Sequence, residues 1–197
     1  MRQMKELTGL ILAGGKSRRM GCDKARLMLE EKSLLQWQVE KLQQLELGEI
    51  LISAPETISY PGIRTVPDRY SDRGPIGGLH AGLAAASGSC LVISVDCPLV
   101  LPETLSELCS AHKSGVTILC HPGGEEPLIG VYDRKVVPML EKMVLQNVYA
   151  IRALEQYIPI QRWVYSGPEE LLCNCNTLEE FALAGQILAK YRKVDVN

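Results

Sequence analysis

The chain has few aromatic residues, almost no net charge and no long apolar run, and each shortage removes a class of protein. Aromatics make up 5% of the 197 residues, with a single phenylalanine, so any core must be built from aliphatic side chains. The formal charge is −2. Without an overall basic field the chain cannot hold a long polyanion by counterion release, which argues against a nucleic-acid partner and makes any phosphate binding a local matter. No apolar stretch reaches the roughly 18 residues of a membrane span, and the opening MRQMKEL lacks the apolar centre of a secretory signal. A cytoplasmic protein with no membrane partner is expected. Seven cysteines are scattered as Cys22, Cys90, Cys97, Cys109, Cys120, Cys173 and Cys175, without the paired CxxC spacing of a zinc site. They read as reduced thiols buried as small hydrophobes, and the Cys173-Asn174-Cys175 pair alone is too little for a soft metal.

What is present fits one globular α/β domain spanning residues 1–197. Hydrophobic residues reach 46% and charged residues 22%, and the length suffices for a core without disulfides. LTGLILA at 7–13 is a short apolar run ending at Gly14-Gly15, as expected for a buried strand running into a tight loop. Ser33 stands as an N-cap before LLQWQVEKLQQLE, where Leu34, Leu35, Val39, Leu42 and Leu45 recur at helical spacing; that face reads as core rather than ligand site. EILIS (49–53), IRTVP (63–67), CLVISV (90–95), GVTILC (115–120), PLIGVYD (127–133) and 160–165 are further strands. Asp72 to Gly78 reads as a loop before a helix in LHAGLAAA; further helices are expected at Pro102 to Ala111, near 135–145 and 149–156, and from about Thr177 to Arg192. The alternation predicts a mostly parallel, Rossmann-like sheet with right-handed crossovers in a three-layer α/β/α sandwich.

In such a sheet ligands bind beyond the carboxyl ends of the strands. The residues there are distinctive. GGKSRRMGCDK (14–24) combines Gly14 and Gly15, which let backbone approach a ligand, with Lys16, Arg18, Arg19 and Lys24, enough cations to neutralise a triphosphate. The loop follows neither the P-loop pattern nor the GxGxxG spacing of a dinucleotide turn. Asp96 ends the run CLVISV just before Pro98, so its carboxylate is expected at a strand end in the crevice, where a divalent cation is its natural partner. Magnesium takes few carboxylates plus substrate phosphates, so Asp96 with the amide oxygen of Asn174 or Asn176 would suffice. An aspartate there also serves as a cap for the following turn. His80, His112 and His121 show no nucleophile or metal spacing and receive no catalytic role.

LILAGGKSRRMGCDKARL resembles the start of the molybdenum cofactor guanylyltransferases, of the form LAGGxSxRMGxDKA, and the likeness continues through VPD (66–68), GPIGGLHAG (74–82), VDCPLV (95–100) and NCNTLEEF (174–181). The resemblance implies a nucleotidyltransferase in which Leu12, Ala13, Gly14 and Gly15 line the GTP pocket, Lys24 binds the phosphates and Arg19 neutralises charge. It places Ser53 and Asp68 near the guanosine, makes Asp96 the magnesium ligand, and sets Asn174 and Asn176 beside the metal or the cofactor phosphate. EEPLIGVY (125–132) keeps the family's proline but lacks the histidine and threonine often beside it, and QNVYAIRALEQ (146–156) is less basic than the resemblance implies, leaving Arg152 as the cation there for the pterin substrate. The implied reaction joins GMP from GTP to molybdenum-bound molybdopterin with release of pyrophosphate; the N-terminal half would hold the nucleotide and the C-terminal half the pterin. Transient contacts with other proteins of cofactor assembly are implied as well. The competing readings are a cytidylyltransferase, acting on the same pterin or on a sugar or alcohol phosphate, and a non-catalytic nucleotide-binding protein.

Overall fold

A computed structural model describes residues 4–14, 23–70 and 72–194, with side chains to Tyr191. Strand β1 (Thr8–Leu12) lies inside the main sheet with all five residues buried. A two-stranded hairpin, β2 (Met28–Leu29) and β3 (Lys32–Ser33), leads into helix α1 (Leu34–Gln43). The chain continues through β4 (Glu49–Ser53), β5 (Arg64–Val66), α2 (Pro75–Ala85), β6 (Cys90–Ser94), α3 (Pro102–Ala111) and β7 (Val116–His121). It ends with β8 (Gly124–Tyr132), α4 (Val137–Leu145), β9 (Ile160–Val164) and α5 (Leu178–Val194).

Seven strands form the main sheet in the order β5-β4-β1-β6-β8-β7-β9. Parallel pairing joins β5, β4, β1 and β6, whereas β8 runs antiparallel to both of its neighbours. The sheet is thus mostly parallel, as expected, with β8 the antiparallel member. The physical reason lies in the connection: only Pro122 and Gly123 separate β7 from β8, and so short a link permits a hairpin but no crossover. The register against β7 shifts between Ile118 and Leu119, opposite the stretch holding Pro127, which has no N–H to give to the ladder.

Alternation along β1 feeds both faces. Leu10 and Leu12 pack with Ile76, Leu79 and Leu83 of α2 and Leu140, Met143 and Val144 of α4. Ile11 packs with Leu34, Val39 and Leu42 of α1, Leu105 and Leu108 of α3, and Ala184 and Ile187 of α5. The result is the three-layer α/β/α arrangement with an aliphatic core. Local signals hold where expected: Ser33 Oγ accepts from Gln36 N at 3.1 Å, and Pro102 begins α3.

Two local expectations need correction, and one short hairpin went without any. The segment read as loop to Gly78 is already helix from Pro75, because proline suits the first helical position and the glycines inside α2 meet neighbours that leave no room for a side chain. The hairpin β2–β3 is too short to show any periodicity. The stretch read as helix at 149–156 is a 3₁₀ turn at Ile151–Gln156. Among the described residues no helix is long and apolar enough to cross a membrane.

Candidate nucleotidyl-transfer site

Six of the seven main strands point the same way, so residues following β1, β4, β5 and β6 and those opening β8 gather along one edge of the sheet. Two clusters form there. The first joins Gly14, Ser53 and Asp68. The amides of Ala13 and Gly14 both donate to Ser53 O, at 2.9 and 3.0 Å, so the start of the glycine-rich loop is tied to the end of β4. Leu12 O accepts from Val95 N at 3.0 Å, and the Leu12 and Ala13 side chains are buried in the core. These two residues thus offer a ligand only the wall they build.

Ser53 Oγ donates to Asp68 Oδ1 at 3.0 Å. Burial pushes the Asp68 carboxyl up, and the Ser53 hydrogen bond partly offsets this. The first turn of α2 runs beneath the pair. A Cβ at Gly78 would stand 2.8 Å from Ser53 Oγ and 3.3 Å from Asp68 Oδ1, and one at Gly77 would stand 2.7 Å from Tyr70 O. Glycine at 77 and 78 is what lets the carboxylate settle against the helix.

The second cluster is assembled from three distant parts of the chain. Asp23 caps a short 3₁₀ turn, its Oδ1 accepting from Ala25 N at 3.0 Å, and this turn aims Lys24 across the end of β6. Lys24 Nζ lies 3.0 Å from Asp96 Oδ2 and 2.5 Å from Asn176 Oδ1. Cys97 Sγ donates to Asn174 Oδ1 at 2.9 Å, and Cys175 N donates to Asp96 O at 2.8 Å, so the segment 174–176 is laid along the Asp96 turn. Asn176 is fixed from the other side by a capping box at the start of α5: Glu180 Oε2 accepts from Asn176 N and Thr177 N at 2.7 and 3.0 Å, while Thr177 Oγ1 accepts from Glu180 N at 3.2 Å.

Lys24, Asp96, Asn174 and Asn176 are therefore brought together, as are Gly14, Ser53 and Asp68. Arg152 joins neither cluster through its contacts; its Nη2 donates to Glu125 O at 3.0 Å, near the start of β8. Gly15, Lys16, Arg18 and Arg19 lie outside the described residues. Asp96, for which the sequence suggested a divalent cation as partner, has Lys24 as its counter-charge here. With side chains 18% and 19% exposed, the pair remains open enough to exchange partners. Among the described residues no group of three or more histidine, cysteine or acidic side chains is placed to hold a metal. The cysteines named above are free where described, and burial pushes the Cys90, Cys109 and Cys175 thiols up to about 12. His112 is structural, with Nδ1 2.8 Å from Thr117 Oγ1 and Nε2 3.1 Å from Asp133 Oδ1.

Residues 9–160 match the model of the MobA-like NTP transferase domain. The chain belongs to this family. A probable molybdenum cofactor guanylyltransferase of Flavobacterium johnsoniae is 29% identical to this MobA-like chain over 181 residues, 90% of this chain and 95% of that one. One from Opitutus terrae is 35% identical over 173 residues, covering 83% of this chain and 86% of the relative. The solved molybdopterin-guanine dinucleotide biosynthesis protein A of Archaeoglobus fulgidus superposes with a TM-score of 0.80 at 25% identity, over 93% of this chain and all of its own. Membership makes the protein a nucleotidyltransferase, and both clusters lie where an α/β sheet of this kind presents its ligands.

Sequence reasoning passed over two MobA-like site neighbours, Gln38 and Lys41, by reading α1 as core alone. The signal was available: 34, 38, 41 and 45 share one helical face, and two of those four positions are polar.

Proposed function

We propose that this chain transfers GMP from GTP to molybdenum-bound molybdopterin and releases pyrophosphate. The observation that carries the reading is the meeting of Lys24, Asp96 and Asn176 beyond β6, with Lys24 Nζ 3.0 Å from Asp96 Oδ2 and 2.5 Å from Asn176 Oδ1. An ammonium on two oxygen acceptors at an open sheet edge is placed to exchange them for triphosphate oxygens. The names of the relatives support the guanylyl and molybdopterin halves of the assignment.

The donor set fits magnesium. Asp96 and the amide oxygens of Asn174 and Asn176 are hard oxygen ligands, and one carboxylate suffices when substrate phosphates complete the shell. Bound there, the ion supplies charge neutralisation for the triphosphate. Lys24, together with Arg19 from the preceding loop, neutralises phosphate charge as a terminal oxygen of the pterin phosphate attacks the α-phosphorus. The bond from the α-phosphorus to the bridging oxygen breaks, and pyrophosphate leaves with that electron pair. No side chain is needed as a base, since a phosphate monoester with a second pKa of about 6 is already ionised near neutral pH.

Asp68, steadied by Ser53, is the acceptor for a donor on the guanosine, which gives base selection, with Leu12, Ala13, Gly14 and Gly15 walling the pocket. Arg152 serves the second substrate from the start of β8. The test is pterin-dependent pyrophosphate release with GTP, CTP, ATP and UTP at equal magnesium. The highest kcat/KM is expected with GTP. A higher value with CTP would replace the guanylyl assignment with the cytidylyl one, and no release with any nucleotide would leave a binding protein.

A further inference from the structure

Helix α1 turns two polar side chains into the protein interior: Gln38 is 0% and Lys41 5% exposed. Both meet the turn that carries Asp96, through its backbone carbonyls and not through the Asp96 carboxylate that Lys24 holds. Gln38 Nε2 donates to Ser94 O at 3.0 Å and to Cys97 O at 2.9 Å. Lys41 Nζ donates to Pro98 O at 3.0 Å, to Cys97 O at 3.4 Å and to Gln38 Oε1 at 2.9 Å. These carbonyls stand where the chain leaves the sheet, and buried acceptors without donors are costly. A lysine is an expensive way to satisfy them. Burial pulls its ammonium down to about 7, and its hydrogen-bond partners are a glutamine oxygen and backbone carbonyls, not a carboxylate. A leucine would avoid the cost of burying a charge, but it would leave these carbonyls short of a donor and the turn free to shift.

The front of the same turn is held differently, by the ion pair from Lys24 to Asp96 Oδ2 at 3.0 Å. That contact must loosen when Lys24 moves to triphosphate, whereas the contacts from α1 are untouched by substrate. We propose that Gln38 and Lys41 are positioning residues for nucleotidyl transfer, clamping the 94–98 turn from behind so that Asp96 keeps its aim when Lys24 leaves it. The inference rests on the reading of Asp96 as the metal-binding carboxylate.

The test measures GTP binding by calorimetry with magnesium and with chelator, beside the magnesium dependence of pyrophosphate release, for the full chain. Lys41→Met removes every donor while keeping an unbranched side chain only one atom shorter. We expect GTP affinity in chelator to stay at the wild-type value, the gain in affinity on adding magnesium to shrink, and half-saturating magnesium to rise about 10-fold, the scale seen when a group supporting a metal ligand is removed. Because Lys41 acts through Asp96, Lys41→Met combined with Asp96→Asn should show no greater loss than Asp96→Asn alone. Gln38→Glu keeps the shape and pairs with the Lys41 ammonium while withdrawing the donor from Ser94 and Cys97. It should move the magnesium dependence in the same direction, and it carries the comparison if Lys41→Met fails to fold. Unchanged magnesium dependence in a folded variant, or losses that add to those of Asp96→Asn, overturns the clamp while leaving the metal role of Asp96 intact. Unchanged magnesium dependence in Asp96→Asn itself overturns both.

Discussion

The two halves of the sheet edge handle charge in opposite ways. On the side of β5, β4, β1 and β6 the polar groups are few and loosely committed: Lys24 shares its ammonium between Asp96 and Asn176, and Asp68 has a single hydroxyl donor in Ser53. On the side of β8, β7 and β9 Arg162 is already spoken for. Arg162 bridges Glu125 at 2.6 Å and Glu155 at 2.9 Å. His121 stands 3.5 Å from Glu126 and 3.7 Å from Glu169, with its buried Nε2 lacking a hydrogen-bond partner. A phosphate entering either half meets a cation held by a carboxylate, but Lys24 faces one carboxylate and a neutral amide, whereas Arg162 faces two carboxylates. Arg152 differs from Arg162 there, since its contact is to the Glu125 carbonyl and it pairs with no acid among the described residues.

The contrast can be broken at several points. The largest effect is expected at Asp96: Asp96→Asn should keep the fold and lower turnover about 100-fold or more, the usual result of losing one preorganised electrostatic contact. Steady-state rates at limiting magnesium check this, and wild-type rates would remove Asp96 from the metal site. Next is Lys24→Ala, which should weaken GTP binding by about 1.5–3 kcal/mol while leaving guanosine binding nearly unchanged, because only the triphosphate meets the ammonium. Calorimetry with both ligands separates the cases, and equal losses would put Lys24 away from the phosphates.

Base selection should be more modest. Asp68→Asn removes an acceptor from the nucleoside side, so the preference for GTP over ATP in kcat/KM should fall about 5- to 30-fold. A preference that survives would assign selection to backbone groups of the first loop. The smallest effect belongs to the second half: Arg152→Ala should raise KM for the pterin about 3- to 10-fold with kcat and KM for GTP near wild type, as suits an exposed cation screened by solvent. A rise in KM for GTP instead would erase the division of labour between the two halves.

Much of this arrangement was legible in the residues themselves. The buried run at 8–12, the Ser33 cap and the proline opening α3 each depend on local chemistry, and each came out at or near its expected place. Local rules also contained more than the first reading drew from them. The two-residue link at Pro122-Gly123 already required a hairpin, Thr177 with Glu180 already spelled a capping box, and Gln38 and Lys41 already broke the apolar face of α1.

The sequence by itself determined the class of fold, the parallel strands of its first half and the residue types at the strand ends, because hydrophobic period, caps and turns act over a few neighbours. Only the tertiary structure decided which charges meet. Lys24 finds its acceptors 72 and 152 positions away, at Asp96 and Asn176, and no local pattern records a pairing across that separation. The same holds for the back of the site, where burial turned Lys41 from an ordinary helix cation into an internal donor whose ammonium is pulled down to about 7. Packing of α1 against the 94–98 turn created that environment. The physical reason is that solvent exclusion and charge pairing belong to the assembled layers, and a side chain acquires its electrostatic character only once its surroundings are in place.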